Sequence, residues 1–157
     1  MSHLQVSSPQ YSLNTAVLFL IFNRPETTKK VFEAIRLAEP PRLYVAADGP
    51  REDRATEADS VKAVRDFVVN EVDWDCEVKT LFREKNLGCK YAVSSAIQWF
   101  FENETQGIIL EDDTLPNPDF FYAMESGLEK YKANKSIACV CGRNELAGTE
   151  NFGNEPF

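Results

Sequence analysis

The sequence predicts an α/β fold: a mostly parallel, doubly wound sheet with helices on both faces. Three observations carry this reading. Short apolar runs recur along the chain, each followed by an amphipathic stretch, so strand and helix alternate. The first run, "AVLFLIF" (16–22), is apolar throughout, as expected of a strand buried on both faces. Polar residues stand directly after each run, at the carboxyl ends where open parallel sheets collect ligands.

The elements follow in order. After the first strand, Asn23 is a candidate helix cap and Pro25 suits a first helical turn. Val31, Phe32, Ile35 and Leu37 keep a helical rhythm until Pro40-Pro41 stop it. "RLYVAAD" (42–48) is a second strand, closed by Gly49-Pro50. A charged amphipathic helix comes next, with Val61, Val64, Phe67 and Val68 as its apolar stripe. "CEVKTLF" (76–82) alternates like a third strand, and "NLG" turns the chain into a helix from about Lys90 to Glu102. "GIILE" (107–111) is a fourth strand. A helix capped by Asn117, with Pro118 at its first position, leads to a fifth, "SIACVCG" (136–142). Strand–helix repetition of this kind implies parallel pairing through right-handed crossovers.

At 157 residues the chain fits one domain. Residues 1–15 read as a flexible lead-in, 16–148 as the domain and 149–157 as a tail. A hydrophobic fraction of 43% and a charged fraction of 27% are ordinary for a globular protein. The formal charge of −8 argues against sequence-independent nucleic-acid binding, which needs a basic face. No apolar stretch reaches the ~18 residues of a membrane span. "MSHLQVSSPQYSLNT" lacks the charged-then-apolar order of a signal peptide. The four cysteines have no framework spacing, which suggests a reduced, cytoplasmic setting. Cys139 and Cys141, two apart on one strand, are read as core residues.

Some chemistries are excluded. The single histidine, His3, lies in the lead-in, so no Ser-His-Asp set forms. Neither a Gly-Lys-Ser/Thr phosphate loop nor a G-x-G-x-x-G turn occurs. Candidate ligand contacts then come from the strand ends: Asn23-Arg24, Asp48-Gly49, Asn86 to Lys90, Glu111 to Asp113 and Asn144-Glu145.

Glu111, Asp112 and Asp113 suit a hard cation, Mg²⁺ or Mn²⁺, which takes one or two carboxylates along with phosphate and water. If the chain stays extended there, Glu111 and Asp113 face one way and Asp112 the other. Asp48 can accept from a base N–H. Arg24 at a helix N-terminus favours a phosphate or a nucleobase edge. Lys90, in the first turn of its helix, opposes the macrodipole unless an anion lies nearby. Each group also has an ordinary reading: a solvated acidic turn, an Asp-Gly-Pro turn, a cap with a solvated arginine, a surface lysine.

Together these residues resemble a glycosyltransferase of the GT-A type, with the acidic triplet as its "DxD" metal motif. "IILEDDTLPNPDFF" is similar to the corresponding segment of the N-acetylglucosaminyltransferase I group. "SIACVCGRNELAG", "LFLIFNRPETTKKVFEAI" and "LYVAADGP" resemble other strand ends of that group at fold level. The resemblance implies a Rossmann-like domain and a UDP-sugar donor. It also implies Asp113 on the metal, Asp112 near the ribose and Glu111 near the donor sugar. Asp48 would face the uracil ring, and Asn23 and Arg24 would lie beside the nucleotide. Lys90 falls where the group carries a histidine near the diphosphate.

The group's enzymes continue beyond the fifth strand into an acceptor-binding half, whereas this sequence ends at Phe157. The expectation is therefore a glycosyltransferase, or its donor-binding portion, that moves a sugar to an acceptor hydroxyl. Glu145 is the candidate catalytic base. The alternative is a non-catalytic nucleotide-sugar or metal-binding module. A phospho-signalling receiver domain is disfavoured because too little chain follows Asp113. A nucleotidyltransferase is disfavoured by the lack of a Gly-rich first loop.

Overall fold

The computed structural model of the chain describes residues 12–142. Eight elements alternate: β1 (Val17–Ile21), α1 (Pro25–Ala38), β2 (Arg42–Ala47), α2 (Glu57–Asn70), β3 (Glu77–Phe82), α3 (Cys89–Asn103), β4 (Ile108–Glu111) and α4 (Phe120–Tyr131). The strands form one all-parallel sheet in the order β3-β2-β1-β4. No helix among the described residues is long and apolar enough to cross a membrane.

Period-two alternation divides the core between the two faces of the sheet. On one face Phe19, Val45 and Leu110 pack with Phe32 and Ile35 of α1, Val64 and Val68 of α2, and Phe121 of α4. On the other, Leu18, Leu20, Tyr44 and Ala46 pack with Ala96 and Phe100 of α3. Register places Leu18 beside Tyr44, and Phe19 beside Val45 and Leu110, so each face is apolar across neighbouring strands. The continuous run in β1 follows from this, since all five of its residues are buried. Tyr44 fills the α3 side edge-to-face with Phe100, ring centroids 4.9 Å apart. Its hydroxyl donates to Glu104, whose carboxylate also receives Arg42 Nε at 2.7 Å.

Several expectations need correction. The segment 136–142 is not a fifth strand: it makes no ladder with β4 and its residues are exposed. After a turn at Asn134 the chain doubles back along α4. A Cβ added at Gly127 would lie 3.3 Å from Val140 Cγ2, and one at Gly142 2.5 Å from the Phe120 ring. The notch at Gly127 thus receives Val140, and helix packing takes the place of sheet pairing. Cys139 and Cys141 are consequently exposed rather than core. Leu37 is exposed as well, since it lies off the buried face carrying Val31, Phe32 and Ile35.

Two caps also differ. Arg24 occupies the N-cap of α1 without a side-chain cap bond, while Asn23 donates to Glu57 at 2.8 Å. Pro25 does open the helix. Asn117 accepts from the Asp119 N–H at 3.0 Å in a turn ahead of α4, so Pro118 lies outside the helix.

Candidate functional site

The strand order reverses between β1 and β4, because β1 leads to β2 on one side and α3 returns the chain to β4 on the other. Leu20 is in register with Glu111, so the tips of β1 and β4 end side by side. Phe22, Asn23 and Arg24 therefore meet the acidic triplet at the switch point of the sheet, where such folds form ligand crevices.

A cavity of ≈340 Å³ opens there, between the tips of the strands and the first turns of α3. Its floor is apolar and built from small or branched residues: Leu20, Ala46, Leu81, Ala92, Val93 and Ala96. Its rim carries Arg24, Arg51 and Arg83 together with Asp48, Glu111 and Asp112. Three guanidiniums over an apolar floor favour a ligand with a flat apolar body and an anionic end.

The chain does not stay extended through the acidic triplet: it turns at Asp112 and Asp113, the Thr114 N–H donating to the Glu111 carbonyl at 3.1 Å, so Asp112 and Asp113 reach the same arginine instead of facing opposite ways. Asp112 is buried, whereas Glu111 and Asp113 are exposed. Asp112 Oδ2 accepts the Phe22 N–H at 3.0 Å, and Oδ1 lies 3.3 Å from Arg24 Nη1. Asp113 pairs with the same Nη1. Burial pushes the Asp112 carboxyl above its usual range, against the pull of the Phe22 N–H and Arg24. Arg24 is held still more firmly in its charged form, first by the Asp113 hydrogen bond and then by Asp112.

Among the described residues no group of three or more His, Cys, Asp or Glu side chains is arranged to hold a metal ion. Oxygens of Asp112 and Asp113 converge on one cationic point, and a hard divalent ion needs one or two carboxylates when phosphate and water complete its shell. Arg24 Nη1 is the cation at that point.

On the β2–β3 side the rim is cross-linked by hydrogen bonds. The Asp48 carboxylate accepts the N–H groups of Gly49, Leu87 and Gly88 at 2.9–3.1 Å, which fastens the tip of β2 to the loop before α3. Asn86 Nδ2 donates to the Gly49 carbonyl at 2.7 Å from the opposite direction. Below them Arg65 Nη2 donates to the carbonyls of Ala47, Asp48 and Arg83, and its guanidinium lies 5.0 Å from the Phe82 ring. Burial lowers the pKa of Arg65, and its Nε is buried without a partner.

The structure thus brings Arg24, Asp48, Glu111 and Asp112 to one cavity, with Asp113 joined to it through Arg24. Asn23 instead braces Glu57. Lys90 is exposed on α3, its Nζ 5.6 Å from the Tyr91 ring, and does not line the cavity. Glu145 lies outside the described residues. Arg51 and Arg83 are rim residues that sequence reading missed. Arg83 directly follows the third strand, so the strand-end rule that selected Asn86 to Lys90 applies to it equally. Arg51 follows the Asp48-Gly49-Pro50 turn and is fixed by Glu57.

The fold and site therefore define an α/β protein with an all-parallel sheet and a charged cavity at its topological switch point. No protein-family model matches the chain. A search of curated proteins likewise finds no match.

Proposed function

We propose that this chain is a metal-dependent glycosyltransferase of the GT-A type, or its donor-binding portion, with a nucleoside-diphosphate sugar, UDP-sugar first, as its ligand. One observation carries the reading. The switch-point cavity joins an apolar floor, which suits a planar base, to an arginine rim, which suits a diphosphate, beside a carboxylate pair able to seat Mn²⁺ or Mg²⁺.

In this reading Arg24, Arg51 and Arg83 receive phosphate oxygens, and Ala46, Ala92 and Ala96 leave room for the base. Asp113 and Asp112 Oδ1 hold the cation, and Glu111, exposed at the end of β4, faces the sugar. Asp48 presents the rim while its oxygens stay with backbone N–H groups. A bound divalent ion would offset the charge of the diphosphate leaving group. The acceptor is a hydroxyl compound, and Glu145 is the proposed base.

The alternative is a non-catalytic nucleotide-sugar module. It is favoured by the engagement of the rim carboxylates Asp48 and Asp112 with backbone N–H groups, which leaves them poorly placed to take a proton.

Calorimetry of UDP with Mn²⁺ and with EDTA tests the shared part of both readings. UDP is expected to bind more tightly with Mn²⁺; equal affinity removes the metal role of Asp113. Donor hydrolysis, measured over a panel of UDP-sugars, separates the two: turnover supports the enzyme, and tight binding without turnover supports the module.

A further inference from the structure

The three arginines at the cavity rim are not alike. Arg24 is paired with Asp112 and Asp113, and Arg51 with Glu57. Arg83 has no carboxylate partner among the described residues. A neutral group holds its side chain instead: Nη2 donates to Ser95 Oγ at 2.7 Å. The Ser95 hydroxyl gives its one proton to the Tyr91 carbonyl a turn earlier in α3, so it faces Arg83 as an acceptor. The carboxylates that share the cavity are committed elsewhere. Asp48 receives the N–H groups of Gly49, Leu87 and Gly88, and Asp112 receives Phe22 and Arg24. Glu111 stands on β4, with β1 and β2 between it and the end of β3.

The backbone of Arg83 is fixed as well. Its N–H donates to the Ala47 carbonyl at 3.0 Å, and its carbonyl accepts Arg65 Nη2 of α2 at 2.6 Å. The residue is thus anchored to α2 by its main chain and to α3 by its side chain. A half-buried guanidinium held in this way, beside a floor of Leu81, Ala92 and Val93, carries a charge that no described carboxylate meets. Desolvating such a charge costs free energy, and a bound anion offsets that cost. Ser95 takes only one of its several N–H donors, and the planar fork that remains suits two oxygens of one phosphate.

From this we infer that Arg83 is the residue that fixes the anionic group of the ligand, without the help of a metal ion, and that Ser95 is the positioning residue that aims it. The inference takes its ligand from the donor-binding reading above and adds which arginine reads the phosphate. Arg24 contributes less, because two carboxylates already meet its charge.

UDP and inorganic pyrophosphate are titrated by calorimetry in EDTA against the wild-type chain, Arg83→Gln, Arg24→Gln, Ser95→Ala and Ser95→Thr, with a urea midpoint measured for each. Wild type is expected to bind both ligands. Arg83→Gln should weaken both by about tenfold or more, the scale of a lost charge-assisted hydrogen bond. Arg24→Gln should weaken them by less than about threefold. Ser95→Ala is expected to weaken both by about threefold at an unchanged urea midpoint, and Ser95→Thr, which keeps the hydroxyl, to restore them. A purely structural Ser95 would move the midpoint and leave the affinities alone, and that result overturns its positioning role.

Equal affinities in Arg83→Gln and wild type overturn the assignment of Arg83, as does a larger loss in Arg24→Gln. Where Arg83→Gln does not fold, Arg83→Lys replaces it: lysine keeps the charge but not the fork, and undiminished binding counts equally against the assignment. The two ligands keep this failure apart from failure of the donor-binding reading. UDP binding that requires Mn²⁺, or that persists in Arg83→Gln, overturns the assignment and leaves that reading standing. Pyrophosphate binding that is lost in Arg83→Gln, with no UDP binding by wild type, removes the nucleotide and keeps Arg83 as the anion's ligand.

Discussion

Arg51 and Glu57 are locked together across the loop between β2 and α2. The Glu57 carboxylate accepts the Arg51 backbone N–H at 2.7 Å and also receives the Arg51 guanidinium, while Asn23 Nδ2 reaches it from the tip of β1. This one buried carboxylate orients a rim arginine and ties two strand ends. The Arg51 guanidinium, 5.7 Å from the Phe22 ring, is thereby held over the cavity mouth.

The pairing has a pH signature. The hydrogen bond from the Arg51 guanidinium, more than any other cause, lowers the Glu57 carboxyl from an ordinary 4.5 to about 2. A carboxyl depressed in the folded state contributes stability that is complete above 4.5 and lost as pH falls through about 2. Urea midpoints measured across that window are expected to fall for the wild-type chain. Glu57→Gln should show a shallower fall, and an unchanged slope would show that Glu57 is not the group responsible.

Asp112 and Asp113 are expected to behave differently although they are neighbours. Asp112→Ala leaves the half-buried Phe22 N–H without its acceptor and should cost ~1–3 kcal/mol of unfolding free energy. Asp112→Asn keeps an acceptor and removes a buried charge, so its stability at neutral pH should lie within ~1 kcal/mol of wild type. Asp113→Ala removes an exposed partner of Arg24 and should change stability by less than ~1 kcal/mol. In the same variant Mn²⁺-dependent UDP binding should weaken. A cooperative loss of stability in Asp113→Ala would make that residue structural.

Gly49 marks the closest approach of two rim loops. An added Cβ would lie 2.4 Å from the Lys85 carbonyl carbon and 2.7 Å from Glu84 backbone atoms. Backbone cannot yield as a side-chain tip can. Gly49→Ala should therefore cost ~1–3 kcal/mol, read as a lower midpoint of thermal or urea unfolding. A midpoint equal to wild type would show that the loops separate freely.

Arg65 is expected to be more important to the fold than its place on a charged helix suggests. Replacing it with Met leaves three carbonyls at the ends of β2 and β3 without its donor, and a loss of ~2–3 kcal/mol is expected. Arg65→Lys can restore a single donor and should recover part of it. Equal stability in Arg65→Met and wild type would mean that water replaces the guanidinium.

Much of the fold was legible because its signals are local. The run "VLFLI" reads as a strand buried on both faces, and it is one. Pro25 opens α1, and Pro40-Pro41 follow its end. "SIACVCG" reads as a strand equally well, since alternation over a few residues says only that one side is apolar. Whether that side meets a sheet edge or a helix depends on Gly127, whose missing side chain admits Val140. Leu37 is exposed because it stands two residues past Ile35, about 200° around the helix, and so off the stripe that Val31, Phe32 and Ile35 define. For the site, the strand-end rule located Arg24, Asp48 and the acidic triplet. It could not tell that Asn23 would turn to Glu57, a residue 34 positions away.

What the sequence determined by itself is the alternation of strand and helix, the helical breaks and the placing of polar residues at strand ends, all encoded within a few residues of one another. Tertiary structure decided which of those polar groups meet. Strand order set β4 beside β1, and so brought Asp112 and Asp113 to Arg24, nearly 90 positions away (|i−j| of 88 and 89). It also sent Asp48 to the N–H groups of Leu87 and Gly88. The physical reason is range. Backbone preference and hydrophobic period act over a turn or a strand, whereas a carboxylate's partner is whichever donor the packed sheet delivers to it.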